Sequence, residues 1–280
     1  MREDGTKTCV ITGAATGLGL ETAKQLAASG LRIIGIGREP GLCRGAEKEI
    51  RAVRPRTGAR CIAGDLASMA GVRGAAAAVR DELPGGRLDR LIHGAGIFTP
   101  DYVGTEDGYE LQFAVNYLAA FLLTSELFPC LIRPEEARVI AISSGSHRRT
   151  SIAWADPMFR RRYSGWRAYR QSKLALVLFT LELNRRVAFR FPVRGIGVEP
   201  GRLDPPVPRR AAAGASGPVA LSAADAATAV VRLAAGPPAS VPADYWRLGR
   251  PAEPSPYARS ADAAIRLWRL SETLCGADFL

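Results

Sequence analysis

The sequence predicts an α/β fold: a doubly wound parallel sheet between two layers of helices, in a single domain covering residues 1–280. Three observations carry that expectation. Six short apolar runs alternate with helical stretches at the spacing of β-α-β units. The first run leads through a glycine-rich turn into a helix, and the fifth ends in two serines, at the sheet edge where such folds bind ligands. Beyond it, Tyr169-Arg-Gln-Ser-Lys173 puts a phenol and an ammonium one turn apart on one helix face. A phenol with an ordinary pKa of about 10 is a poor acid or base at neutral pH. A nearby cation lowers that value, and such a pair suits proton exchange with an alcohol or a carbonyl.

The elements follow in order. Residues 7–12 read as a buried parallel strand. Thr12-Gly-Ala-Ala-Thr-Gly-Leu-Gly19 then opens a helix that stops at Gly30. Gly13 permits the tight turn, Gly17 lets the main chain approach a pyrophosphate, and Gly19 lets helix pack on strand. With Ala15, Thr16 and Leu18 they make the expected phosphate cradle, because free N–H groups and the dipole at a helix N-terminus favour anions. The second strand, 32–37, ends at Arg38. An acid there would bond a ribose 2′-OH, whereas arginine suits a 2′-phosphate, so NADP(H) is expected over NAD(H). A solvated strand-end arginine is the plainer alternative.

A helix near 43–54, a strand at 59–63 and Gly64-Asp65-Leu66 come next. Asp65 and Leu66 fall where an adenine would lie, and Asp65 equally suits capping the following helix, 69–82. After the fourth strand, 88–92, the small residues of His93-Gly94-Ala95-Gly96 would let adenosine and ribose lie against the backbone. A long helix, 106–129, carries Asn116. Asparagine is a mediocre helix former, so its amide is either a structural brace or part of a proton relay. The fifth strand begins at Arg138 and ends in Ser143 and Ser144. The Tyr169 helix spans about 162–189, and the sixth strand, 193–198, leads into Glu199-Pro200-Gly201. Residues 202–220 are turn-rich and poor in large apolar groups, as a substrate loop would be. Ser222 caps one more helix, and a last one runs near 259–274.

Composition narrows the classes. The chain has 280 residues, 47% apolar and 23% charged, in the ordinary globular range. No uninterrupted apolar run reaches the length of a membrane span, and the start is polar, so a cytoplasmic protein without membrane contact is expected. Five scattered cysteines without C-x-x-C spacing and two histidines argue for reduced thiols and no metal. The net charge of +11 comes mostly from dispersed arginines without interleaved aromatics, which argues against nucleic acid as a partner. Lysine occurs only at 7, 24, 48 and 173, which adds weight to Lys173.

Thr12-Gly-x-x-x-Gly-x-Gly19, Asn116, Ser144, Tyr169 and Lys173 together resemble the short-chain dehydrogenase/reductase family, which has a Rossmann fold. Its retinol-dehydrogenase-like branch is suggested by Tyr163-Ser-Gly-Trp-Arg-Ala-Tyr-Arg-Gln-Ser-Lys-Leu-Ala175, by Asn116-Tyr-Leu-Ala-Ala-Phe-Leu-Leu-Thr124 and by Pro251-Ala-Glu-Pro-Ser-Pro256. The resemblance covers nearly the whole chain and implies hydride transfer between NADP(H) and a carbonyl or alcohol of a fairly apolar small molecule. It implies that Tyr169 is the general acid or base, that Lys173 lowers its pKa and holds the nicotinamide ribose, and that Ser144 bonds the substrate oxygen. Asn116 would hold a relay water. Gly94, Ala95, Gly96, Pro200 and Gly201 would line the cofactor cleft. Helices bearing Asn116 and Tyr169 serve as a dimer face in the family, which leaves room for a homodimer or homotetramer.

Two departures stand out. His93-Gly94 replaces a pair of asparagines, and Leu203-Asp-Pro205 lacks a threonine that contacts the nicotinamide carboxamide. These motivate a runner-up in which the scaffold performs a non-redox step such as cyclisation or isomerisation. A non-catalytic dinucleotide-binding regulator is a third reading. The substrate pocket is expected between His147 and Phe159, where His147 reads as pocket lining or as a turn-forming polar residue, and Trp154, Met158 and Phe159 as an apolar wall or as packing.

Overall fold

The computed structural model describes residues 6–202 and 220–280. In chain order it has β1 (Thr8–Thr12), α1 (Gly17–Ala28), β2 (Arg32–Gly37), α2 (Pro40–Val53), β3 (Ala59–Ala63), α3 (Met69–Glu82) and β4 (Arg90–His93). Next come α4 (Leu111–Phe113), a π turn (Ala114–Leu118), α5 (Ala119–Leu131), β5 (Ala137–Ile142), α6 (Gly165–Val187) and β6 (Val193–Glu199). The chain closes with α7 (Ala223–Ala235), β7 (Tyr245–Arg247), β8 (Arg250–Pro251) and α8 (Ala261–Cys275). The strands form one sheet in the order β3-β2-β1-β4-β5-β6-β7-β8, parallel except for the β7–β8 pair. The order reverses direction beside β1, between β2 and β4, the switch point at which such sheets bind ligands.

Strands β1, β4, β5 and β6 are buried almost throughout, as a sheet covered on both faces requires. One face packs Leu26, Ile33, Ile50 and Leu233 against α1, α2 and α7. The other packs Leu91, Val139 and Leu178 against α3, α5 and α6. Helix α8 adds a further cover on that side. Trp268 stacks on Phe179 and Phe279, Phe121 meets Trp268 edge-on, and the Tyr117 hydroxyl lies 2.6 Å from Ser271 Oγ. The chain thus covers α5 and α6 with its own C-terminal helix.

Several expected boundaries move. The long helix starts at Leu111, not 106, because Gly108 takes a positive φ of 77° and Gly104 bridges Glu110 across a tight turn. Glu110 then caps it by accepting from Phe113 N at 2.7 Å. From Leu111 to Leu131 this helix is long and apolar enough to cross a membrane, with a mean hydropathy of 1.4, but 78% of that window is buried in the fold. Gln112, Asn116 and Thr124 interrupt the apolar run in the sequence, which is why the expectation overlooked it. His93 lies within β4 instead of after it, and β7 and β8 were not anticipated at all.

At the amino edge of the sheet, Arg90, Arg138 and Arg194 stand side by side on β4, β5 and β6. Arg90 and Arg138 are fully buried and share Glu136, at 3.1 and 2.5 Å. They donate to the Ala234 and Leu233 carbonyls at the end of α7, where the helix dipole favours cations.

Candidate active site

The glycine turn has the geometry its spacing predicts. Gly13 has φ of 73°, and a Cβ there would lie 2.9 Å from the Ala95 backbone. A Cβ on Gly19 would sit 2.1 Å from the Gly13 carbonyl oxygen, so only glycine lets α1 start this close to β1. Gly17, with φ of 54°, meets nothing within 4 Å and leaves its main chain open. Thr16 precedes α1 without bonding its N–H groups, and the first turn carries no acid. These unfilled donors and the open Gly17 backbone suit the pyrophosphate of a dinucleotide.

Around this cradle the other expected contacts divide. Arg38 is 74% exposed at the end of β2 and pairs with Glu39 at 3.1 Å. Asp65 accepts from Ala67 N at 2.9 Å, and the cap of α3 is Ser68, so the capping alternative for Asp65 is corrected. Leu66 turns into the core, so its side chain is not displayed to a ligand. The loop after β4 is braced without the missing asparagines. Thr12 Oγ1 accepts from both Gly94 N and Ala95 N at 3.1 Å. A Cβ on Gly94 would lie 2.8 Å from the Thr12 carbonyl, so this backbone has no room for the family's amide. His93 Nε2 lies 2.8 Å from Thr124 Oγ1, whose hydroxyl is already donated to Ala120 O. The imidazole must therefore donate, which leaves Nδ1 as a buried acceptor without a partner. Burial pushes the His93 pKa down to about 3, so the ring is neutral.

Asn116 sits in the π turn, and its amide closes on a single residue of the β4 loop. Oδ1 accepts from Ile97 N at 2.8 Å, while Nδ2 donates to Ile97 O and to Ser172 Oγ, each at 3.0 Å. The side chain thus braces Ile97 against Ser172. Ser172 Oγ donates in turn to Tyr169 O, tying the π turn to α6. Lys173 is buried, and its Nζ donates to Ile142 O at 3.0 Å. A Cβ on Gly96 would stand 3.1 Å from that nitrogen, so the glycine makes room for it. Ser143 Oγ bonds Lys173 O, locking the end of β5 to α6.

Tyr169 and Ser144 interact through their side chains at the mouth of this cluster. Burial raises the Tyr169 phenol above its ordinary value, and the Ser144 hydroxyl works against that rise. The expected lowering by Lys173 is not found. The ammonium lies over the ring, 5.8 Å from its centroid, and is itself penalised by burial to a pKa of about 8. Pro200 is buried after β6, and Gly201, with φ of 111°, packs against Leu248 and Leu221. Leu203, Asp204 and Pro205, with nearly all of the expected 202–220 loop, lie outside the described residues.

Of the four residues named in the 147–159 segment, His147, Met158 and Phe159 are buried and Trp154 is half-buried. His147 is fully buried: Nδ1 lies 2.7 Å from Ser144 O, and Nε2 accepts from Ser255 N at 3.2 Å. Met158 Sδ accepts from Glu110 N, Phe159 is buried beneath Arg167, and Trp154 Nε1 donates to Tyr257. Among the described residues, two exposed aromatic groups that sequence reasoning missed, Phe98 and Trp166, lie against Tyr169. Trp166 could have been found, since it precedes Tyr169 by three residues on one helix. Phe98 gives no such signal, because a loop residue has no periodicity.

The profile of the short chain dehydrogenase family matches residues 7–214. Human "Retinol dehydrogenase 13" is 41% identical over 206 residues, covering 72% of this chain and 59% of that protein. The chain thus spans about three fifths of the retinol dehydrogenases it matches. Mouse "Polyprenol dehydrogenase" is 35% identical, over 97% of this chain and 84% of its own length. A crystal structure of an uncharacterized protein from Mycobacterium paratuberculosis superposes with a TM-score of 0.80 at 33% identity, covering 98% of this chain and 95% of that one. A blue fluorescent protein from a metagenomic library, in complex with NADPH, superposes at 0.69 with 26% identity over 86% of this chain and 95% of that one. With its parallel sheet, glycine turn and Ser–Tyr–Lys cluster, the chain belongs to the short chain dehydrogenase family.

Proposed function

We propose that the chain transfers hydride between NADP(H) and a carbonyl or alcohol of a fairly apolar small molecule. The observation that carries this reading is the convergence of Ser144, Tyr169 and Lys173 at the carboxyl end of β5, beside the open glycine cradle. The bound dinucleotide would supply or accept the hydride. The chain's own residues would do the rest. In reduction, the Tyr169 hydroxyl donates its proton to the substrate oxygen, and its raised pKa keeps it protonated for that task. Ser144 Oγ donates a hydrogen bond to the same oxygen as negative charge grows there. Lys173, with one of its three N–H donors on Ile142 O, has two left for a ribose. Asn116 keeps Ile97 and α6 in register beneath them.

The preference for NADP(H) rests on Arg38, exposed at the end of β2, where a guanidinium suits a 2′-phosphate. Relatives named for retinol and polyprenol favour an apolar substrate. Thr12 and Thr124 brace the His93-Gly94 backbone without the missing asparagines, which supports the redox reading over a non-redox or regulatory one.

The test is a fluorescence titration with NADPH and NADH, followed by a ketone screen. Tight NADPH binding, weaker NADH binding and loss of that preference in Arg38→Ala are expected. Equal affinities would sink the Arg38 assignment while leaving the dehydrogenase reading in place. Tyr169→Phe should abolish turnover with NADPH binding retained, and a Tyr169→Phe enzyme that still turns over would remove Tyr169 from the chemistry.

A further inference from the structure

Phe98 and Trp166 are large aromatic side chains left 44% and 58% exposed beside Tyr169. Their centroids are 4.7 Å apart, and each meets the Tyr169 ring edge-on at 6.0 Å. Lys173 and Ser144 also meet Tyr169, so the aromatic pair and the polar cluster share one phenol.

The loop carrying Phe98 and the start of α6 carrying Trp166 are packed together and both bonded by Gln112. A Cβ on Gly165 would lie 2.2 Å from the Thr99 carbonyl oxygen and 2.9 Å from Pro100 Cα, so the start of α6 rests directly on the loop carrying Phe98. Gln112 Nε2 donates to Thr99 O at 3.3 Å, to Gly165 O at 3.0 Å and to Tyr163 Oη at 2.9 Å. The buried Glu110 carboxylate accepts from Tyr163 Oη at 2.8 Å. A polar network thus fixes the backbone beneath two rings that the fold leaves partly in water. Exposed aromatics held in place by buried polar groups behave as a prebuilt contact surface, because little side-chain or loop freedom remains to be lost on binding.

We infer that Phe98 and Trp166 are specificity-determining residues that take a flat, π-bonded group attached to the reacting carbon of the substrate. This rests on the oxidoreductase reading and deepens it. A substrate oxygen held by Tyr169 and Ser144 brings its neighbouring substituent beside the Tyr169 ring, which both exposed aromatics touch. Aromatic rings in offset or edge-on contact gain more than their buried area provides, so an aryl or conjugated substituent is favoured over a saturated ring of similar size.

The experiment compares kcat/KM for acetophenone and cyclohexyl methyl ketone with saturating NADPH in the wild type, Phe98→Ala, Trp166→Ala and Trp166→Phe. Both alanine variants lose apolar contact with either ketone, so the readout is the ratio of the two values. That ratio should fall about fivefold in each alanine variant and be largely restored by Trp166→Phe. An unchanged ratio in both alanine variants overturns the inference, whatever their absolute activity. If the wild type reduces neither ketone, the oxidoreductase reading is what fails for these compounds, and binding decides the platform instead. Saturable acetophenone quenching of tryptophan fluorescence, present in the wild type and absent from Trp166→Phe, supports it. Equal quenching in the two proteins overturns it.

Discussion

Replacing Lys173 with methionine should remove activity without destabilising the fold. Few buried substitutions behave that way. Burial lowers the Lys173 pKa from 10.5 to about 8, so holding this side chain charged costs about 3 kcal/mol relative to the unfolded chain. Methionine has similar length, fills the same space and carries no charge. Against that gain stands the lost hydrogen bond to Ile142 O, of the charged-donor type that contributes about 1.5–3 kcal/mol. The two nearly offset, so Lys173→Met at pH 7 should lie between unchanged and about 2 kcal/mol more stable, or up to about 3 °C in Tm for a chain of this size. The pH dependence isolates the lysine. Between pH 8 and 10.5 the folded wild type gives up the Lys173 proton while the unfolded chain keeps it. The unfolded state then binds more protons, and stability rises with pH by about 3 kcal/mol across that window. The variant lacks this rise. Urea midpoints of both proteins from pH 7 to 10, taken as a difference, measure it and cancel the other titrating groups. A flat difference, or a variant more than about 2 kcal/mol less stable at pH 7, would refute the reasoning, since either would mean the ammonium is well solvated or well compensated.

Restoring an asparagine through Gly94→Asn should destabilise the chain by about 1–3 kcal/mol, because its Cβ would press within 2.8 Å of the Thr12 carbonyl; a urea midpoint at or above the wild type's would contradict that packing. Glu136→Gln should cost about 2–4 kcal/mol, since it strips the shared counter-charge from the buried Arg90 and Arg138, and thermal unfolding at low salt reads the loss. Because α8 covers the outer faces of α5 and α6, light scattering should give the mass of a single 29.9 kDa chain, and a dimer lost on disrupting α5 or α6 would show that this cover opens.

Much of the site could be read from short-range spacing. Gly13, Gly17 and Gly19 announce a turn because each faces a steric demand set by its immediate neighbours, and the angles and contacts match the role given to each. Tyr169 and Lys173 share a face because one helical turn separates them. Ser144 stands at the edge because a parallel strand ends there. What periodicity could not reach were features that depend on a distant partner. The π turn at Asn116 exists where its amide closes on Ile97, 19 residues earlier, and nothing in the helix sequence announces it. The sequence leaves His147 as pocket lining or as a turn residue, until Ser144 and Ser255, the latter 108 positions away, are seen to occupy both of its nitrogens.

The sequence by itself determined the alternation of strands and helices, the dinucleotide cradle and the phenol–ammonium pair, because apolar periodicity, glycine sterics and helical repeat are local physics. Only the tertiary structure decided the electrostatics and the exposed surface of the site. Whether Lys173 lowers the Tyr169 phenol depends on how deeply both are buried and on which part of the ring the ammonium faces. Whether Met158 or Trp166 meets solvent depends on which elements fold over each, and that is a property of packing that no stretch of chain carries alone.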